Sequence, residues 1–108
     1  MKCFLALILS ISTIHFYGQT VIECRKAGYA KYVLGDNKGA IEDYSKAIDM
    51  NPQYAGTYCN RGVAKYALRD YDGAIRDFSK AIDASPSDEM AYYNRGVSKD
   101  ELNDFKGA

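Results

Sequence analysis

The chain has 108 residues, enough for one small domain. Its 14 Lys and Arg balance its 14 Asp and Glu with the signs mixed along the sequence, so there is no basic stripe to grip a polyanion, and nucleic acid is not expected as a partner. A hydrophobic fraction of 47% is that of a folded domain and argues against a disordered one.

Residues 1–20 stand apart from the rest. Lys2 is followed by the apolar run Phe4 to Ile14 and then by HFYGQT. One positive charge, a short apolar core and a polar exit form the pattern of a secretory signal peptide. The run is shorter than the roughly 20 apolar residues a membrane-spanning helix needs. An uncleaved anchor or a buried helix are the other readings. Cleavage after Gly18 or Thr20 would start the mature chain at Gln19 or Val21. The reading predicts a periplasmic, envelope or secreted protein without a stable membrane span after cleavage. Val21-Ile22-Glu23-Cys24 loosely resembles a lipoprotein box, but Glu23 occupies the position of a small residue, so a lipid on Cys24 is not expected.

The remainder repeats itself. Residues 39–52 read GAIEDYSKAIDMNP and residues 73–86 read GAIRDFSKAIDASP. Aligned without gaps, residues 21–54 and 55–88 agree at 16 of 34 positions, and residues 89–108 agree with the start of the second unit at ten of twenty. A fixed period of this size marks a stacked repeat architecture. The units run over 21–54, 55–88 and, incomplete, 89–108.

Each unit reads as two helices. Ala40, Ile41, Tyr44, Ala47 and Ile48 form an apolar stripe of helical period, and Ala74, Ile75, Phe78, Ala81 and Ile82 repeat it. On the polar face, Glu42–Lys46 and Asp72–Arg76 have the i,i+4 spacing of ion pairs. Asn51-Pro52 and Ser85-Pro86 are expected to end one helix and open the next, with proline at the first helical position. Ser85 and Asp88 have the spacing of a capping box. Asp36, Asp70 and Asp104 precede the second helix of each unit and are predicted to cap it. Gly35 supplies a left-handed residue for the turn before it.

Gly28, Gly62 and Gly96 in the first helices, and Ala40, Ala74 and Ala108 in the second, recur where helices approach closely. Glycine inside a helix costs about 0.5–1 kcal/mol relative to alanine, so its recurrence predicts that a Cβ would collide with the partner helix. One hairpin cannot bury its apolar face alone; a second beside it can. The expected fold is therefore all-α, an α-solenoid of about two and a half antiparallel hairpins.

These residues resemble the tetratricopeptide repeat, a helix–turn–helix of about 34 residues with the pattern W-x2-L-G-x2-Y, A-x3-F, P. Unit two carries Tyr58, Arg61, Gly62, Lys65, Ala74, Phe78 and Pro86; unit one carries Cys24, Ala27, Gly28, Lys31, Ala40, Tyr44 and Pro52; unit three carries Tyr92, Arg95, Gly96 and Lys99, and stops at Ala108. The resemblance covers everything after residue 20. Arg61, Arg95 and the three lysines stand where the pattern has Leu and Tyr. Their stems are expected to cover apolar surface while the charges reach water. Cys24 in place of a large aromatic predicts looser packing at the outer end of unit one. The incomplete third unit reads as part of a longer parent, with self-association through that end as a possible consequence.

The resemblance implies a concave groove lined by the first helices, which binds an extended peptide or a partner helix. Carried onto this chain, the groove positions are Ile22, Arg25, Lys26, Tyr29, Tyr32 and Val33 in unit one. They are Gly56, Cys59, Asn60, Val63, Tyr66 and Ala67 in unit two, and Met90, Tyr93, Asn94, Val97, Asp100 and Glu101 in unit three. Tyrosine either anchors partners or packs neighbouring units. Some members grip a terminal carboxylate with Lys and Asn in the first unit, Asn in the second, and Lys and Arg in the third. Arg25 and Asn60 fit that set in kind; Tyr29, Met90 and Asn94 do not, so chaperone-tail binding is not expected.

No chemistry is expected beyond binding. The only histidine, His15, lies in the leader, so no Ser–His or Cys–His set remains. No CxxC or paired His/Cys spacing supports a metal, and no phosphate loop supports a cofactor. Export would permit a Cys24–Cys59 disulfide, but two cysteines at unrelated positions are not a framework. The carboxylates read as solvated residues on exposed faces.

Overall fold

The computed structural model describes residues 21–107. The leader, its cleavage point and Ala108 lie outside the described residues. Five helices follow in order: α1 over residues 21–33, α2 (Asn37–Met50), α3 (Ala55–Ala67), α4 (Tyr71–Ala84) and α5 (Glu89–Gly107). Among the described residues there is no strand, and no helix is long and apolar enough to cross a membrane.

The apolar stripes decide which helix face turns inward. On α2 the buried residues are Ala40, Asp43, Tyr44, Ala47 and Ile48; on α4 they are Gly73, Ala74, Asp77, Phe78, Ala81 and Ile82. α3 packs against both α2 and α4, and α4 packs against α5. One apolar cluster joins Ile48 of α2, Tyr58 of α3, Ala81 and Ile82 of α4 and Ala91 of α5. Another joins Ala40, Tyr44 and Ala64. Each hairpin thus covers surface that its neighbour leaves apolar.

The turn inside each complete unit follows one design. Asp36 N–H donates to the Lys31 carbonyl at 2.8 Å and Gly35 N–H to that of Tyr32 at 3.0 Å; Asp70 donates to Lys65 and Arg69 to Tyr66, both at 2.9 Å. These are the paired closing bonds of a Schellman turn, which requires a left-handed residue. Gly35 (φ 87°) supplies it in unit one, and Arg69 (φ 63°) is forced into it in unit two. The Asp36 and Asp70 side chains then accept from Gly39 N–H at 2.9 Å and Gly73 N–H at 3.0 Å, capping α2 and α4.

Several expectations are corrected. The prolines do not open helices: α3 begins at Ala55 and α5 at Glu89, leaving Pro52 and Pro86 in exposed turns. The Tyr58 hydroxyl ties the first turn by donating to the Pro52 carbonyl at 2.8 Å. Ser85 closes α4 rather than capping α5, and it is the Asp88 carboxylate that accepts from Ala91 N–H at 3.2 Å. Asp104 caps nothing, because α5 runs through it to Gly107. Glu42–Lys46 and Asp72–Arg76 do not pair, and Asp72 instead meets Lys106 at 3.9 Å.

The glycines divide on the same ground. A Cβ on Gly28 would lie 2.8 Å from Cε1 of Tyr44, and one on Gly62 would lie 2.7 Å from Cε1 of Phe78. A Cβ on Gly96 would meet nothing within 4 Å. Gly96 is thus not a packing contact among the described residues, because no second helix of unit three stands opposite it.

Of the charges expected to reach water, those of Arg61 and Lys65 turn inward instead, and two carboxylates expected on exposed faces are buried. Asp43 and Asp77 are 7% and 1% exposed. Asp77 receives Arg61 through two bonds of 2.8 Å, with Lys65 at 3.1 Å. Lys31 meets Asp43 at 2.9 Å. Both carboxylates sit one residue before the buried aromatic of their helix, on its inward side. Arg61 also donates to the Ser45 hydroxyl of the preceding unit at 3.1 Å, and Arg95 to Ser79 at 3.3 Å, so one arginine per unit boundary stitches neighbours together.

Candidate functional site

α1, α3 and α5 present one face to solvent, and it carries most of the positions carried over to the groove. Tyr32, Val63, Tyr66, Tyr93, Asn94 and Val97 converge around a depression of about 280 Å³ with Phe78 at its base. Ile22, Arg25, Lys26, Tyr29 and Asn60 line a second depression of about 370 Å³. The two adjoin: Tyr29 and Tyr32 are one turn apart on α1, and Asn60 and Val63 one turn apart on α3.

Seven of the carried-over positions line neither depression: Val33, Gly56, Cys59, Ala67, Met90, Asp100 and Glu101. Cys59 is half-buried against the cluster of Ile48, Tyr58, Ala81, Ile82 and Ala91. Burial pushes its thiol above the ordinary cysteine value, with Asp88 adding to the effect and Asn94 opposing it. It packs the core because the helix turns that position toward α4 and α5. Met90 is 62% exposed and lines neither depression. Cys24 and Cys59 are both free thiols.

The walls differ in character. The central depression is aromatic and aliphatic, softened by the Asn94 amide. Its tyrosines join an apolar ring to a hydroxyl, which suits a surface that meets both water and a ligand. The Tyr66 ring packs edge-on against Tyr71, centroids 5.4 Å apart at 64°. Its phenol is held above the ordinary tyrosine value, first by loss of surrounding water and then by Glu101, Tyr71 and Tyr93. At the α1 end the Arg25 guanidinium lies 4.0 Å from the centre of the Tyr54 ring, within cation–π reach. At the other end Glu101 and Asp104 line a third depression with Arg69 and Tyr71.

Sequence reasoning placed Phe78 in the core and missed that it also floors the central depression. It gave no place on this face to Arg69 or Tyr71 and read Asp104 only as a helix cap, since turn residues and the continuation of α5 bring the three together. Among the described residues no three His, Cys, Asp or Glu side chains form a group that could hold a metal ion.

Repeated hairpins, glycines set against aromatic rings and a concave face of first helices define a helical repeat protein. Residues 28–69 match a family model described as TPR repeat, and residues 55–88 match one described as tetratricopeptide repeat. The chain belongs to the tetratricopeptide repeat family. Among solved structures it is similar to the Arabidopsis OM64 TPR domain, with 30% identity, 82% of this chain and 73% of that chain covered, and a TM-score of 0.77. It is also similar to the TPR2B domain of yeast Sti1 in its pHsp70 complex, with 26% identity, coverage of 82% and 71%, and a TM-score of 0.77. A third similar structure is the second TPR domain of human RPAP3 in complex with the HSP70 peptide SGPTIEEVD, with 25% identity, coverage of 82% and 73%, and a TM-score of 0.77. No curated protein sequence matches the chain.

Proposed function

We propose that this chain is a non-catalytic protein-interaction module that binds a peptide or partner helix in the groove of α1, α3 and α5, and that it acts after export, in the periplasm, the envelope or outside the cell. The observation that carries the binding reading is the tyrosine-walled depression of Tyr32, Val63, Tyr66, Tyr93 and Val97, open to solvent on the concave face. Aromatic residues are enriched at interfaces because they bury large area for little lost rotamer freedom. Related domains that hold chaperone peptides support the same use of the face. Tyr29, Met90 and Asn94 depart from the terminal-carboxylate set, so chaperone tails are not the ligands proposed. Export rests on residues 1–20.

A pull-down with the mature chain tests the groove. A partner retained by wild type and lost with Tyr66→Ala supports the reading; a partner unaffected by both Tyr66→Ala and Tyr93→Ala removes it. Mass spectrometry of the exported product tests the leader. A mature N-terminus at Gln19 or Val21 supports it, and an intact Met1 in the cytoplasm removes it.

A second reading, a structural array that self-associates through its last unit, is favoured by one observation. α5 keeps Gly96 open, and neither Arg95 nor Lys99 forms an ion pair among the described residues, whereas the matching Gly62, Arg61 and Lys65 are filled by α4. Sedimentation distinguishes the readings: dimers that grow with concentration and vanish with Leu102→Asp support the array, and a monomer at every concentration removes it.

A further inference from the structure

The net charge of zero conceals a segregation along the groove. The α1 end is lined by Arg25, Lys26 and Asn60, with no carboxylate among its lining residues. The central depression carries no formal charge on any lining side chain. One turn beyond Val97 on α5 come the exposed Asp100 and Glu101. Glu101 and Asp104 line the third depression against a single guanidinium, that of Arg69. Tyr66 borders both regions, since it walls the central depression and packs against Tyr71 of the third.

We propose that the groove takes a segment of split charge: acidic side chains against Arg25 and Lys26, a bulky apolar side chain in the tyrosine-walled depression, and basic side chains against Asp100 and Glu101. This rests on the groove reading above and names the chemistry of its ligand. The apolar centre supplies most of the affinity, because it is where water is displaced from aromatic surface. The charged ends set the register and exclude other partners, because like charges brought together across an interface are repelled. At physiological salt each end acts over about 8 Å, so a ligand must place its charges at the matching end to gain from them. A segment acidic at both ends gains at α1 and is repelled at α5; one basic at both ends meets the reverse.

Calorimetry with three acetylated, amidated synthetic peptides tests this on the mature chain. All share a central Leu-Phe pair between glycines; the first is flanked by glutamates on one side and lysines on the other, the second by glutamates on both, the third by lysines on both. The expected result is that the split peptide binds about tenfold more tightly than either single-sign peptide. Lys26→Glu, an exposed change checked for folding by circular dichroism, is expected to shift preference toward the all-lysine peptide, and Glu101→Lys toward the all-glutamate one. Equal affinities for the three peptides, all lost with Tyr66→Ala, overturn the split-charge assignment while leaving groove binding intact. No binding of any peptide overturns both.

Discussion

Arg61 grips Asp77 from sixteen residues away, Nε to Oδ2 and Nη2 to Oδ1, each at 2.8 Å. The pair is bidentate, and the Asp77 side chain is only 2% exposed. Lys65 adds a second cation at 3.1 Å. The guanidinium is held above its ordinary value, first by the hydrogen bonds to Asp77, with burial opposing. This is the polar joint between α3 and α4, and it lies inside the hairpin.

Removing one member should therefore cost more than an exposed pair would. Asp77→Ala leaves Arg61 and Lys65, with side chains 15% and 18% exposed, without a counter-charge. The expected loss is about 3–5 kcal/mol. Asp43→Ala should cost less, because its partner Lys31 is 42% exposed and water can replace the carboxylate. Urea unfolding of both variants checks the order; equal losses would refute the distinction drawn between the two units.

Gly62 and Gly96 occupy the same repeat position and should respond oppositely to alanine. Gly62→Ala pushes a methyl to 2.7 Å from the Phe78 ring, an overpacking expected to cost about 1–3 kcal/mol. Gly96→Ala enters open space within a helix and is expected to stabilise by about 0.5–1 kcal/mol. Thermal melting reads both, and a lower melting temperature for Gly96→Ala would show that something covers this face.

Arg69 holds a left-handed backbone that costs an L side chain about 1–2 kcal/mol. Arg69→Gly should therefore stabilise unit two, by about 0.5–1 kcal/mol after glycine's greater freedom in the unfolded chain is deducted. Gly35→Ala should destabilise unit one for the mirror reason. Chemical unfolding measures both.

Tyr44 is 1% exposed, and burial raises its phenol from about 10 to about 12. Below about pH 10 both folded and unfolded chains keep this proton, so it adds no pH dependence. Between about 10 and 12 the unfolded chain releases it and the native chain does not, so stability falls as pH rises, by about 1.4 kcal/mol per unit. Above that the group is ionised in both states. Tyr44→Phe is accommodated, since Phe78 fills the matching site, and should remove this part of the alkaline loss. Identical alkaline unfolding curves for the two proteins would contradict the assignment.

Much of the architecture was legible before any coordinates. The apolar stripes of Ala40–Ile48 and Ala74–Ile82, the caps Asp36 and Asp70 and the contacts awaiting Gly28 and Gly62 are all matters of spacing within a unit. The resemblance supplied candidate groove positions, and the fold brings five of them, Tyr32, Val63, Tyr66, Tyr93 and Val97, to one depression. The split between Arg25 and Glu101 needed the depressions to be laid end to end.

The period, the apolar stripes and the caps Asp36 and Asp70 follow from interactions spanning a few residues, so the chain's own order contains them. Whether Arg61 and Lys65 point to water or to a buried carboxylate depends on a helix sixteen residues away. Whether Gly96 is a contact or a gap, and whether Asp104 caps or continues a helix, depends on whether a partner helix stands opposite. Those outcomes belong to packing, because the free energy of a charge or a glycine is set by what surrounds it once neighbouring hairpins have closed.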